Sequence, residues 1–441
     1  MQPASGHPRE KELEAISIII DKTPIIYERV LQDLNKGKIL KRKTGARGMS
    51  AEQVLRAAVV MHLFGFTYEE LAYHICDSRS LRRFCLIGIA DKGFKKSALN
   101  ANIKKISADT WELIFQDLLG YAKDENIEKG RKVRIDATVV ESNIHKPFDS
   151  VQLFDCVRVL TRLLHKARDQ FASTLIFSDH QRRAKRRMVG IQYANGEKQR
   201  LTLYKDLLKI TRKTIGYAER AEQTLHKLCS SDIQLLALIS QINHYSALAK
   251  QVYDQTYRRV IQGETVPADQ KVFSIFEEHT DIIIKDGRDT YYGHKICLTG
   301  GASNLITDCV ILEGNPADTD LVEQMLDRQQ QIYGRYPLKV ALDGGFASKD
   351  NLLKAKERKI KDVCFAKKRG LKEADMCRSN YVYKKLRQFR AGIESGISWL
   401  KRSFGLTRCT WKGFHSFKCY VLSSVVAANL LTMARKKLAM T

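Results

Sequence analysis

Two short segments with strand periodicity, far apart in the chain, limit what it can fold into more than any other feature. Val133, Ile135, Ala137 and Val139 alternate with Arg134, Asp136 and Thr138, and Leu338, Val340 and Leu342 alternate with Lys339, Ala341 and Asp343. Apolar side chains at every second position line one face of a strand. Between Pro147 and Pro267 there is no proline, and Leu153, Val157, Leu160, Leu164 and Ala167 recur at helical spacing. Leu203, Leu207, Leu225, Leu235, Ile239 and Ile242 continue that pattern, which predicts an antiparallel helix pair or small bundle. Strand character returns from about Asp281, with Tyr291–Thr299 and Thr307–Leu312 reading as a hairpin through Gly300-Gly301. A helix Ala317–Tyr333, the strand ending at Asp343, a helix Ser348–Lys359 and a strand Val363–Ala366 follow, and the basic segment Lys367–Lys385 reads as a loop. The order predicts an α/β sheet interrupted by one large helical insertion.

Each of three elements carries an acid in an unusual place. Asp136 lies inside an apolar, β-branched strand, where a carboxylate needs a partner or a cation. Asp343 ends its strand, at the edge where open α/β sheets hold their ligands. Gly344 and Gly345 beyond it allow a tight turn and a close approach, although Asp-Gly alone is ordinary turn chemistry. Glu394 sits on a helix, predicted as the last, whose Phe389, Ile393, Ile397, Leu400 and Phe404 form an apolar stripe beside a polar one of Arg387, Arg390, Glu394, Ser398 and Lys401. In isolation that polar stripe is a surface face with an Arg390–Glu394 pair worth a few tenths of a kcal/mol. Taken together, three carboxylates without a cysteine or histidine cluster suit hard cations, Mg²⁺ or Mn²⁺. Two such ions at one carboxylate cluster serve an in-line phosphoryl displacement.

Charge points the same way. The 441 residues carry a formal net charge of +26, and so large an excess calls for a polyanionic partner, DNA or RNA. Within the insertion, Arg182, Arg183, Lys185, Arg186 and Arg187 form a polybasic run that either follows a nucleic-acid backbone or lies in a solvated loop. The longest apolar stretch, Val421–Leu431, is interrupted by Ser423, Ser424 and Asn429 and falls short of the ~20 residues a membrane span needs. With a polar amino terminus and no signal peptide expected, the location expected is the cytoplasm. The ten cysteines include no C-x-x-C pair, which fits reduced thiols. Cys409, His415 and Cys419 lack a fourth ligand, so no zinc site is expected there.

The amino-terminal third is helical. Residues 1–10 read as disordered, Leu13 to about Asn35 as a helix broken near Thr23-Pro24, and Lys36–Arg47 as a basic linker. Ser50 with Gln53, and Thr67 with Glu70, are capping boxes opening helices Ser50–Phe64 and Thr67 to about Cys76, with a third over Ser78–Cys85. The outline is that of a helix-turn-helix, which many small helical domains share. Arg79, Arg82, Arg83, Lys92, Lys95 and Lys96 either face DNA or form a solvated face. Asp109–Asp124 is a further helix with Trp111, Ile114, Phe115 and Leu118 in the core.

The segments Asp136–His145, Gly314–Asp318, Leu342–Phe346 and Arg390-(three residues)-Glu394-(six residues)-Lys401, followed by Gly405-Leu406 and Ala428–Leu430, resemble the signatures of DDE transposases of bacterial insertion sequences, of the insertion-sequence-four and -five type. Ser50–Gly88 resembles the family's amino-terminal DNA-binding region. Arg387 stands where members often have tyrosine. The resemblance implies an RNase H-like mixed sheet flanked by helices, with a helix-turn-helix-like amino-terminal domain and the helical insertion between its first and second strands. The corresponding boundaries are an arm and linker at 1–49, a DNA-binding domain at 50–125, a catalytic domain at 126–147 and 268–441, and the insertion at 148–267. It implies that Asp136, Asp343 and Glu394 bind two Mg²⁺ or Mn²⁺ ions, and that Arg390 and Lys401 hold phosphates. Asn143 and His145 would steer DNA, unless His145 is a structural histidine, and Trp399 would stack on a flipped base or pack in the core. The partner implied is double-stranded DNA, both element ends and target, cut and joined by a homodimer in a prokaryotic cytoplasm. Two other readings use the same residues: a DNA-binding relative without chemistry, and a metal-dependent nuclease that never joins strands.

Overall fold

The structure, a computed structural model, describes residues 7–37, 48–88, 90–228, 232–285 and 289–440. Most of the expected basic linker therefore lies outside the described residues. Helix α1 (Pro8–Asp21) begins within the stretch expected to be disordered, because His7 Nδ1 accepts the Arg9 N–H and Pro8 fits the first helical turn. Then come α2 (Ile25–Asn35), α3 (Ala51–Phe64), α4 (Tyr68–Asp77) and α5 (Arg79–Phe84). Both capping boxes form, and Gly65 ends α3 in the left-handed region at φ 68°. A short helix the sequence pattern does not announce, α6 (Lys96–Ile103), precedes α7 (Ala108–Asp124) and strand β1 (Lys132–Glu141).

Residues 144–282 form a compact unit of their own. It contains α8 (Asp149–Gln170), α9 (Gln181–Gln192), α10 (Glu197–Lys227) and α11 (Ile233–Thr256), which runs on into a π-helical turn, Tyr257–Ile261. Leu153, Leu160, Leu207, Leu238 and Ile242 lie in its core. The polybasic run is a helix, not a loop: Ala184 and Ile191 of α9 are buried there.

The remainder joins the amino-terminal helices in a second compact unit. Its elements are β2 (Asp281–Lys285), β3 (Asp289–Gly301), β4 (Ile306–Ile311), α12 (Leu321–Tyr333), β5 (Lys339–Leu342), α13 (Lys349–Glu357), β6 (Asp362–Phe365), α14 (Glu373–Met376), α15 (Asn380–Ser403) and α16 (Phe414–Leu438). The open mixed sheet has the order β2-β3-β1-β5-β6, and β4 also pairs with β3. β1 runs antiparallel to β3 and parallel to β5, which is parallel to β6.

Three expectations need correction. The hairpin between β3 and β4 turns beyond Gly300-Gly301, which end β3 itself; a Cβ on Gly301 would overlap the carboxylate of Glu128. Lys367–Lys385 is not all loop, since it holds α14 and the start of α15, whose first turn is capped by the Ser379 hydroxyl accepting from Val382 N–H. The helix bearing Glu394 is not the last. α16 follows, and by length and composition it could cross a membrane. Yet 89% of its most apolar window is buried, packed on α1, α3 and α7.

Candidate active site

Strand alternation and register bring the acids together. Arg134, Asp136 and Thr138 share a face of β1, and Arg134 Nη1 reaches 3.0 Å to the Phe389 carbonyl, so that face looks at α15. Parallel pairing sets Ile135 beside Leu342, which leaves Asp136 and Asp343 as the next residues along two neighbouring strands. α15 lies over this point and contributes Arg390. Its Nη2 is 3.2 Å from Asp136 Oδ2 and 3.0 Å from Asp343 Oδ1, and its Nη1 pairs with Glu394 Oε1. Three carboxylates thus surround one guanidinium, an excess of two negative charges. Exposure of the acid side chains rises from 15% at Asp136 through 39% at Asp343 to 58% at Glu394, so the cluster opens to solvent on its helix side. Asp136 Oδ1 also accepts its neighbour's N–H, from Ala137 at 2.8 Å.

Glycine makes the approach of α15 to β1 possible. A Cβ on Gly392 would overlap Nη1 of Arg134, which is itself held by the Phe389 carbonyl and, through Nη2, by Asn304 Oδ1 at 2.6 Å. On the other side of the Asp343 turn, Lys295 Nζ lies 2.5 Å from Asp318 Oδ1 and donates to the Pro316 carbonyl. Asp318 abuts Gly345, where a Cβ would come within 2.6 Å of its Oδ2. Lys295 and Asp318 thereby brace the turn that carries Asp343. Asp318 lies within the Gly314–Asp318 signature, while Lys295 stands outside every motif and is marked in sequence only as a lysine in an apolar strand. Cys297, buried in β3, has its thiol pushed well above the ordinary range by burial and then by Asp308, Asp318 and Asp136. It stays protonated.

The other expected residues fall in several places. Arg387 is exposed, one turn before Arg390, and Lys401 is half-buried two turns beyond Glu394 on the same helix. Asn143 Nδ2 donates to the Thr410 carbonyl at 3.1 Å. His145 belongs to the 144–282 unit, where Nε2 lies 3.4 Å from Asp155 Oδ2. That hydrogen bond raises the imidazole pKa. Arg183 and Arg187 both close on Asp206, while Arg182, Lys185 and Arg186 are exposed without an ion pair among the described residues. Trp399 is half-buried, its ring edge-on to Phe404 at 4.8 Å.

All donors in the cluster are carboxylate oxygens, which fits a hard divalent cation rather than zinc. Among the described residues no three His, Cys, Asp or Glu side chains are grouped as ligands of one ion, and the Arg390 guanidinium lies among the acids. The cysteines among the described residues are free thiols, nearly all buried, and Cys409 and Cys419 bond to carbonyls rather than to each other.

An open mixed sheet with acids from two adjoining strands and a crossing helix defines an α/β protein with a carboxylate-centred site. Comparison with known families narrows the class. Residues 262–430 match the transposase DDE domain, and residues 4–105 match a transposase domain, DUF772. The chain belongs to the DDE-type transposases of insertion sequences. Asp136 and most of the helical insertion lie outside both matched segments. No curated protein and no solved structure matches the chain.

Proposed function

We propose that this transposase binds the terminal inverted repeats of its own element, cleaves the DNA ends and transfers the 3′-hydroxyl strands to target DNA. The observation that carries the reading is the convergence of Asp136, Asp343 and Glu394 on one guanidinium. A site able to gather three acids about a cation has the donor set for Mg²⁺ or Mn²⁺, two ions in the full site, held by these carboxylates. Bound there, such ions would activate the attacking oxygen and stabilise the leaving one. The chain's own cations do the positioning. Arg390 offsets one of the three acid charges in this structure and turns toward a scissile phosphate when another cation takes its place, with Lys401 two turns on to hold a second phosphate.

The sheet order supports an RNase H-like reading, with three antiparallel strands (β4, β3, β1) followed by two parallel ones (β5, β6) and the insertion after the first strand. The amino-terminal pair α3 and α4, joined at Gly65, supports a helix-turn-helix use in recognising the ends, and two ends acted on together call for a homodimer. The setting is a prokaryotic cytoplasm, on the nucleoid.

The test is nicking of a duplex carrying the element's end in Mg²⁺. Wild type cuts it; Asp343→Ala loses at least about 10³-fold in rate, as removal of a group acting only in the transition state does. Equal cutting by that variant refutes the site. A strand-transfer assay on the same substrate then separates a transposase from a nuclease that never joins strands.

A further inference from the structure

Among the described residues of the insertion, unpaired positive charge gathers not only on the polybasic run of α9 but also along a groove of about 880 Å³ between α10 and the end of α11. One wall carries Lys205, Lys209, Arg212, Lys213 and Arg220 of α10. Their intervals of four, three, one and seven residues keep them on one face of the helix. They span sixteen residues, fifteen steps or ~22 Å of helix, about six nucleotides at 3.4 Å per strand step. None of the five has an acidic partner among the described residues. The acids nearby are already taken, Asp206 by Arg183 and Arg187 and Glu219 by Lys250 at 2.7 Å.

The opposite wall is aromatic. Tyr253 and Tyr257 lie with ring planes 7° apart and centroids 6.2 Å apart. Tyr217, with the Arg220 guanidinium 5.0 Å from its ring centre, closes the groove from α10. Tyr257 is also where α11 gives way to the π-helical turn, an irregularity that costs helical hydrogen bonding and marks functional positions more often than chance. A row of cations serves any nucleic-acid backbone. Ring faces opposite it, on the exposed Tyr257 and the half-buried Tyr253, serve only bases whose own faces are free, and those belong to an unpaired strand.

We infer that this groove binds a single strand of DNA, its phosphates along α10 and its bases against Tyr253 and Tyr257. The inference rests on the transposase reading, in which cleavage at an element end frees such a strand.

The test uses the full chain with fluorescein-labelled oligonucleotides of arbitrary sequence, single-stranded and duplex, read by anisotropy over a salt series. The triple variant Lys209→Ala, Arg212→Ala, Lys213→Ala keeps a helix-favouring surface. It is expected to lose at least about tenfold in single-strand affinity, and its salt dependence to flatten by about two logarithmic units per decade. Tyr253→Ala with Tyr257→Ala is expected to weaken single-strand binding and leave duplex binding and the salt slope as they are. Unaltered single-strand binding in both variants overturns the inference. So does a loss confined to duplex, or binding of phosphatidylserine vesicles in preference to either oligonucleotide. Asp343→Ala, measured alongside, keeps the two readings apart: it should bind as wild type does and fail to nick. If it nicks normally, the proposed active site falls while the binding result stands.

Discussion

Arg390 is the residue on which the candidate site turns, because it occupies the space that a cation would share with three carboxylates. Its removal has opposite consequences for two measurements. Arg390→Ala leaves three negative charges without their counter-charge, so Mn²⁺ measured by isothermal titration should bind at least about tenfold more tightly, a change of ~1.4 kcal/mol. End cleavage should nevertheless fall, since a phosphate anchor is lost. Unchanged Mn²⁺ affinity would show that the guanidinium does not compete for the position. His62 of α3 illustrates a buried group with a different role. Its Nε2 and Nδ1 meet Ser423 Oγ at 2.7 Å and Ser424 Oγ at 3.1 Å on α16, and burial pushes its pKa down from 6.5 to about 3. Between those values the unfolded chain binds a proton that the folded chain refuses. Stability from this site is therefore full above the unfolded value and lost as pH falls, by up to about 1.4 kcal/mol per pH unit. Thermal melts at neutral and mildly acidic pH should show a smaller acid-induced drop for His62→Gln than for wild type.

Among the elements, α15 and β1 define the geometry, and Gly392 sets the distance between them. Gly392→Ala pushes against the pinned guanidinium of Arg134. Overpacking of this kind costs ~1–3 kcal/mol, and it displaces Arg390 and Glu394 from the strand acids. End cleavage should fall at least about tenfold with the melting temperature down by only a few degrees. Gly396, one turn further on, has nothing within 4 Å of a Cβ. Gly396→Ala is then the control, expected to be neutral or to stabilise by up to ~1 kcal/mol. Equal activity in the two variants would remove the case for a distance set by glycine. The stripe of Ile393, Leu400 and Phe404 was legible as an apolar helix face, and all three are buried. The fact that the same helix points Arg390 into the acids was not legible, because helical phase alone does not say what stands opposite.

At the scale of the whole molecule, the 144–282 unit has its own core, separate from those on either face of the sheet. Calorimetry should therefore resolve two unfolding transitions. Leu207, fully buried in the insertion core, is expected to cost ~2–5 kcal/mol when cut back to alanine, lowering one transition and leaving the other in place. A single transition that moves as a whole would mean that the units unfold together. The chain's residues alone determined most of its longer strands and helices, two capping boxes, and the oddity of an acid inside an apolar strand, since these depend on periods of two and 3.6 residues and on contacts a turn away. Tertiary structure decided the rest. It buried α16, which composition alone cannot tell from a membrane helix, and joined Arg390 to an acid 254 positions away. It also set five lysines and arginines of α10 across from Tyr253 and Tyr257. Such meetings follow from strand register and helix packing, which no local pattern encodes.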